Sequence, residues 1–214
     1  MRYRAVLYDM DGTVLDTLDD LADSMNHSLA EFGLPAVSRE HVRQSLGNGA
    51  AYLLAHSVPQ SLSSDKEQEI LRFYRSWYDS HCNIRTCPYP GILPLMEALK
   101  ERGIRQALIS NKPDAAVQKL VRAYFPGLLE VAVGESIRVR RKPNPDAVLA
   151  AASQLGLDPS DCVYIGDTEV DLQTAENAGM DCIAVTWGFR DEEQLLRAGA
   201  RVFAHSVGEL KKLL

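Results

Sequence analysis

The chain has 214 residues, enough for one well-buried core and a smaller accessory unit, and its 46% apolar and 24% charged residues are ordinary for a globular protein. A formal charge of −6 argues against a duty on nucleic acid or an anionic membrane, with the cluster Arg138, Arg140, Arg141 and Lys142 as the local exception. No apolar run approaches the roughly 20 residues of a membrane span, and the amino terminus runs straight into a strand with no targeting segment in view. Cys82, Cys87, Cys162 and Cys182 form no CxxC pair, and two of them sit in apolar strand-like runs, so a reducing, cytoplasmic compartment is expected. His27, His41, His56, His81 and His205 lack the spacing of a zinc site and read as surface or supporting polar residues.

In chain order, residues 5–8 are a short apolar run ending in a turn signal, the pattern of a buried parallel strand. Asp9 and Asp11 follow, one residue apart, so an extended chain points both the same way. Two carboxylates side by side in low dielectric repel unless a cation lies between them. Gly12 permits a sharp turn, and Thr13 adds a hydroxyl and an N–H at the same place. Taken alone, Asp-x-Asp-Gly-Thr also fits a strand ending in an Asx-turn.

After Asp16-Thr17 the period becomes helical. Leu18, Leu21, Met25, Leu29 and Phe32 share a stripe that stops at Gly33. Ser38 caps a segment ending near Gly47, residues 49–56 are helical in pattern, and Ser64 caps a longer helix carrying Ile70, Leu71, Tyr74, Trp77 and Tyr78. No strand pattern occurs between about Asp16 and Cys87, so residues 16–90 read as an all-helical unit inserted into a core of residues 1–15 and 91–214. The Cys87-Pro88-Tyr89-Pro90-Gly91 run is the stiff linker that closes the insertion.

Beyond Gly91, helices over 93–102, 114–124, 146–155, 169–178 and 207–213 alternate with strands over 105–109, 131–133, 162–165, 182–185 and 201–203. The expected fold class is therefore α/β, with a Rossmann-like parallel sheet covered on both faces. Such sheets place ligands at the carboxyl ends of their strands. Three strands here end in polar groups suited to one reaction: Asp9 with Asp11, Ser110, and Asp167 with Asp171 four residues on. Each has a plainer alternative. Ser110 fits a turn, Thr168 with Asp171 fits a helix-capping pair, and Lys142 fits a solvated lysine before a proline.

Together, Asp9-Met10-Asp11-Gly12-Thr13, the strand-ending Ser110-Asn111-Lys112, Arg141-Lys142-Pro143-Asn144-Pro145 and Gly166-Asp167-Thr168-x-x-Asp171 resemble the four motifs of the haloacid dehalogenase superfamily. The insertion resembles that superfamily's helical cap. Within it, Leu46-Gly47-Asn48-Gly49-Ala50 is similar to the cap loop of phosphoglycolate phosphatases, and Pro88 to Gly91 to their hinge. The resemblance implies a phosphomonoester hydrolase in which Asp9 is the nucleophile, Asp11 the acid and base, Ser110 a phosphoryl-oxygen donor and Lys142 a charge neutraliser. It implies Mg²⁺ held by Asp9, the backbone carbonyl of Asp11 and Asp167, with Asp171 either a direct ligand or one step removed. Thr13, Asn111, Gly47, Asn48 and Gly49 would be substrate contacts, the glycine loop accepting the carboxylate of a short substrate such as 2-phosphoglycolate. The same glycines could instead simply end one helix and start the next.

Asp11 argues against dehalogenation, which needs no acid at the leaving group, and Leu21 stands where sugar phosphomutases of the superfamily tend to carry histidine. Pyrophosphate, nucleotide or sugar phosphate hydrolysis, and a non-catalytic binding module, remain as alternatives. The expected partner is a small phosphorylated metabolite, with no nucleic acid or membrane, and the expected assembly a monomer or homodimer.

Overall fold

The computed structural model describes residues 2–137 and 139–214; Arg138 of the basic cluster lies outside them. Six parallel strands make the sheet, in the order β5-β4-β1-β6-β7-β8: β1 (Ala5–Tyr8), β4 (Arg105–Pro113), β5 (Val131–Glu135), β6 (Cys162–Gly166), β7 (Asp181–Val185) and β8 (Phe203–Ala204). β1 is wholly buried and lies between β4 and β6. Its side chains alternate: Ala5 and Leu7 join Ala107, Tyr164 and the helices α7 (Asp146–Gln154) and α8 (Glu169–Ala178) on one face. Val6 and Tyr8 join Leu108, Ile165 and the helices α5 (Ile92–Glu101), α6 (Asp114–Tyr124) and α10 (Val207–Leu213) on the other. Both faces being covered explains why these strands read as continuous apolar runs.

Register then places the chemistry. Tyr8 stands opposite Leu108 on one side and Ile165 on the other, so Asp9, Ser110 and Asp167 emerge at one edge of the sheet within a residue or two of each other. The expected end of β4 at Ile109 is instead an irregularity between Ile109 and Pro113, after which pairing with β5 resumes. Ser110, Asn111 and Lys112 occupy that bulge, a device that re-aims side chains beside active sites.

Between β1 and α5 lie four helices: α1 (Leu18–Glu31), α2 (Arg39–Gln44), α3 (Ala50–Ser57) and α4 (Ser64–His81). α1 packs on α4 and α2, and α3 on α4 and α2, with Leu18, Leu21, Met25 and Leu29 buried as the stripe predicts. Ser38 caps α2, accepting from the His41 N–H at 3.0 Å. The cap of α4 falls one residue earlier than expected, on Ser63, whose extended backbone suits an N-cap better than the helical Ser64. Two further elements escape the period: the chain leaves and re-enters the core through β2 (Leu15–Asp16) and β3 (Cys87–Pro88), an antiparallel pair too short to show alternation. The helix α9 (Glu192–Arg197) also lies outside the expected elements, although Asp191 and Gln194 cap it reciprocally. No helix among the described residues is long and apolar enough to cross a membrane, and the four cysteines are unpaired.

Asp20, buried on α1, anchors the returning chain. It accepts the N–H groups of Ile84, Arg85 and Thr86 and the Thr86 hydroxyl, all between 2.8 and 3.1 Å. Burial raises its pKa, but the donations from Thr86, Ile84 and Arg85 outweigh that and hold the carboxyl below its usual value. This support is therefore present above the unfolded-state pKa and is lost as pH falls through the folded one. Asp20→Ala leaves three N–H groups unpaired, and we expect a loss of about 3 kcal/mol in urea unfolding; a change below about 0.5 kcal/mol would show that water replaces the carboxylate.

Candidate active site

The carboxylates of Asp9, Asp167 and Asp171 converge at the carboxyl edge of the sheet, with one oxygen of each within 4.8 Å of the others, the one such acidic, histidine or cysteine group among the described residues. All three are buried, Asp167 and Asp171 completely. Lys142 enters from the loop before α7. Its ammonium lies 2.8 Å from Asp9 Oδ1 and 2.7 Å from Asp171 Oδ1, and donates to the Tyr164 hydroxyl at 3.0 Å, so its three N–H groups have three acceptors. Burial alone would lower its pKa; Asp171 and Asp9 reverse this and hold it well above the usual lysine value.

Asp167 accepts from the Thr13 hydroxyl at 2.7 Å and from the Phe189 N–H at 2.8 Å. Two glycines make room for it: a Cβ at Gly12 or at Gly188 would stand 2.3 or 2.4 Å from Asp167 Oδ2. Asp171 has both oxygens engaged, Oδ1 with Lys142 and Oδ2 with the N–H groups of Asp167 and Thr168 and the Thr168 hydroxyl. It is thus a capping residue of α8 and the lysine's partner at once, and the two sequence readings of this aspartate are compatible.

One lysine against three carboxylates leaves two negative charges uncompensated in a buried site. Desolvation, reinforced by the mutual proximity of the carboxylates, pushes Asp9 and Asp167 above the usual carboxylate range. The donor set is all hard oxygen. Charge and donor chemistry together fit a divalent cation, and the residues present suit the class that prefers oxygen ligands.

Asp11 departs from the expectation of a cation shared between it and Asp9. Chain direction changes after Asp9, and the Asp11 carboxylate is met by its own lysine: Lys112 Nζ donates to Asp11 Oδ1 at 2.6 Å, with the lysine side chain 2% exposed. Both aspartates still line one cleft, which Ser110, Asn111 and Lys112 share with Gly47 and Gly49 of the loop before α3. The space for the centres of water-sized molecules is ≈ 50 Å³, room for a few waters at most.

Two of the expected substrate-contact side chains are otherwise employed, and a third lies in another groove. The Thr13 hydroxyl is committed to Asp167. Asn111 donates to the Gly47 carbonyl at 2.9 Å and the Lys142 carbonyl at 3.0 Å and accepts from the Lys142 N–H at 2.8 Å, so it joins three loops. Asn48 lines a separate groove with Arg140 and Arg141, and its carbonyl accepts from Arg141. Of the basic cluster, Arg140 pairs with Asp146, and Arg141 with Glu135 and the Asn48 carbonyl.

Lys112, Gly188 and Arg190 do not stand out in the sequence. Arg190 is buried, pairs with Glu169 at 2.8 Å, and donates to the carbonyls of Arg43 and Leu46, while Arg43 donates back to the Phe189 carbonyl. For Lys112 there is a signal, its place in a strand-ending polar triplet. For Gly188 and Arg190 there is none, since their partners lie more than 20 residues away in sequence.

An open parallel sheet with carboxylates, a buried lysine and a cleft at its carboxyl edge defines an α/β enzyme of the doubly wound class. The model of the haloacid dehalogenase-like hydrolases matches residues 6–185, and the chain belongs to that family. It is 33% identical over 216 residues to the N-acetylmuramic acid 6-phosphate phosphatase of Pseudomonas aeruginosa, covering all of this chain and 96% of that one. With phosphoglycolate phosphatase 1 of the same organism the identity is 34% over 193 residues, covering 87% of this chain and 70% of that one. Among solved structures, a Lactobacillus delbrueckii subsp. bulgaricus protein described provisionally as a phosphoglycolate phosphatase superposes with a TM-score of 0.95 at 36% identity, over 100% of this chain and 98% of that one.

The glycine at 188 has an ordinary φ, so a methyl group there acts by displacing Asp167 and the Gly12 carbonyl, each with an oxygen 2.4 Å from it. Gly188→Ala is expected to keep wild-type far-UV circular dichroism and lose on the order of 100-fold in turnover, as a displacement near 1 Å costs; full activity would mean that Asp167 tolerates the shift.

Proposed function

We propose that the chain is a Mg²⁺-dependent phosphomonoesterase that works through an aspartyl-phosphate, with 2-phosphoglycolate as its substrate. The observation that carries this reading is the buried Asp9–Lys142–Asp171 arrangement, with Asp11 two residues on in the same cleft. Lys142 holds one oxygen of Asp9, which leaves the other for in-line attack on phosphorus. As the ester bond breaks, Asp11 gives its proton to the leaving oxygen; it takes one from the water that then cleaves the acyl-phosphate. Lys112 fixes the direction of the Asp11 carboxylate, and Ser110, at the mouth of the β4 bulge, is placed to donate to a phosphoryl oxygen. Mg²⁺ would be held by Asp9, Asp167 and the Asp11 carbonyl, and supplies compensation for the phosphoryl charge. Asp171, with both oxygens spent, acts through Lys142 and the Asp167 amide.

In this reading residues 16–90 form a cap domain that closes over a core of 1–15 and 91–214, with β2 and β3 at the hinge. The tight cleft and the likeness to phosphoglycolate phosphatases favour a short leaving group. A second reading, N-acetylmuramic acid 6-phosphate, is favoured by the full-length match to the enzyme of that name. Ranking kcat/KM for the two esters, with an aryl phosphate as reference, decides between them: 2-phosphoglycolate must lead for the first to stand.

Activity is expected to need Mg²⁺ or Mn²⁺ and to be inhibited by Ca²⁺, whose larger shell lets a carboxylate bind through both oxygens and occupies the attacking one. Turnover in Ca²⁺ with Mg²⁺ chelated would contradict this. Asp9→Asn should abolish both turnover and acid-stable incorporation of phosphate into protein, since an amide does not attack phosphorus; turnover retained by that variant would point to direct attack by water.

A further inference from the structure

The cleft has a second pole that the phosphoryl chemistry does not use. Tyr78, on α4, lines it and is 2% exposed, and its hydroxyl has no hydrogen-bond partner. A buried phenol without a partner is disfavoured against phenylalanine, which would fill the same space, so the hydroxyl calls for an acceptor. The ring is held firmly, parallel to that of Tyr74 one turn earlier at 5.8 Å between centroids and 7° between planes. The Lys112 ammonium stands 4.7 Å from the Tyr78 ring centroid, a cation–π contact across the boundary between α4 and the sheet.

Lys112 is also under-used. An ammonium has three N–H groups, and Asp11 is its one hydrogen-bond acceptor among the described residues, whereas Lys142 has three. Leu21, Leu46 and Leu53, which also line the cleft, offer no acceptor, and its polar members Asp9, Ser110 and Asn111 are not bonded to the Tyr78 hydroxyl or the Lys112 ammonium. The Tyr78 O–H, which has no acceptor, and the Lys112 N–H that neither Asp11 nor the Tyr78 ring takes are therefore the unspent donors at this cleft. Burial, with the Asp11 charge nearby, pushes the phenol's pKa well above its usual value and keeps it a donor.

We propose that Tyr78 and Lys112 form a subsite for a carboxylate on the leaving group of the substrate, with Tyr78 the specificity-determining residue. A carboxylate offers about four lone-pair positions and accepts such charge-assisted donations well, and Lys112 can bridge it to Asp11. The subsite rests on the phosphatase reading and adds a second substrate-binding location, separate from the glycine loop. A single subsite at one distance from phosphorus fits one of the two esters, since the acid of 2-phosphoglycolate lies two carbons from the ester oxygen and that of N-acetylmuramic acid 6-phosphate lies across the sugar ring, so the subsite is read in the pair that the wild type prefers.

The test compares esters with and without the acid-bearing group: 2-phosphoglycolate against ethyl phosphate, and N-acetylmuramic acid 6-phosphate against N-acetylglucosamine 6-phosphate, which lacks the lactyl ether, each with Mg²⁺. In Tyr78→Phe the preference for the acid, expressed as the ratio of kcat/KM within a pair, should fall about tenfold or more in the pair that the wild type prefers, mainly through KM. The melting temperature without substrate should be unchanged or raised, because an unpaired hydroxyl has been removed. An unchanged ratio in both pairs overturns the subsite, and an unchanged ratio with a lowered melting temperature assigns the hydroxyl to the fold. The order of the two acids in the wild type reports separately on the substrate reading, whatever Tyr78→Phe does.

Discussion

Lys142 puts one positive charge where two strand ends and the first turn of α8 have gathered three negative ones, and the geometry of that edge follows from the need to satisfy it. Burying an ammonium is costly unless its N–H groups find acceptors, and for Lys142 Asp9, Asp171 and Tyr164 supply the three. Tyr164 in turn donates to the Ile109 carbonyl, so the lysine is tied to β4 as well as to β1 and the start of α8. Asp171 must then serve two masters, a helix cap and an ion pair, which leaves Asp167 as the carboxylate supported only by neutral donors. The residual negative charge of that edge, carried on oxygen donors, suits a divalent cation.

Much of this edge is legible in the sequence because its parts are strand-ending motifs. Apolar runs bounded by turn residues locate β1, β4 and β6, and parallel register alone then brings Asp9, Ser110 and Asp167 together. What cannot be read is the direction of a side chain once the backbone leaves the ladder. Asp9 and Asp11, expected to share a face, are met by different lysines, because the chain turns after Asp9. Thr13 and Asn111, polar and in the right motifs, prove to be spent on Asp167 and on loop backbone. Spacing reports that a donor is near, but not which acceptor takes it first. The short elements escape for another reason: β2 and β3 have two residues each, and no period can be seen in two.

The helical unit and the sheet meet through groups whose sequence neighbours say nothing of the contact. Arg190 and Glu169 make a pair that is closed off by Arg43 and Leu46 carbonyls, and Asn111 reaches Gly47 from the β4 bulge. These are backbone-carbonyl contacts, which depend on position more than on residue type. They hold the glycine loop against the cleft while Tyr78 rests on Lys112 from the opposite helix, so the cleft is walled from two sides by the helices that lie between β1 and α5.

The β2–β3 ribbon has a mechanical consequence. Both crossings of the chain pass through adjacent, hydrogen-bonded residues, Leu15 opposite Pro88 and Asp16 opposite Cys87, about 5 Å apart as ladder neighbours are. A ladder of this kind holds both crossings at one spacing, so the helices leave and rejoin the sheet along a single line. Tyr89, next to that line, lies 6.3 Å from Trp187 between ring centroids, and the Arg43 and Leu46 carbonyls tie the helices to Arg190 at a second place.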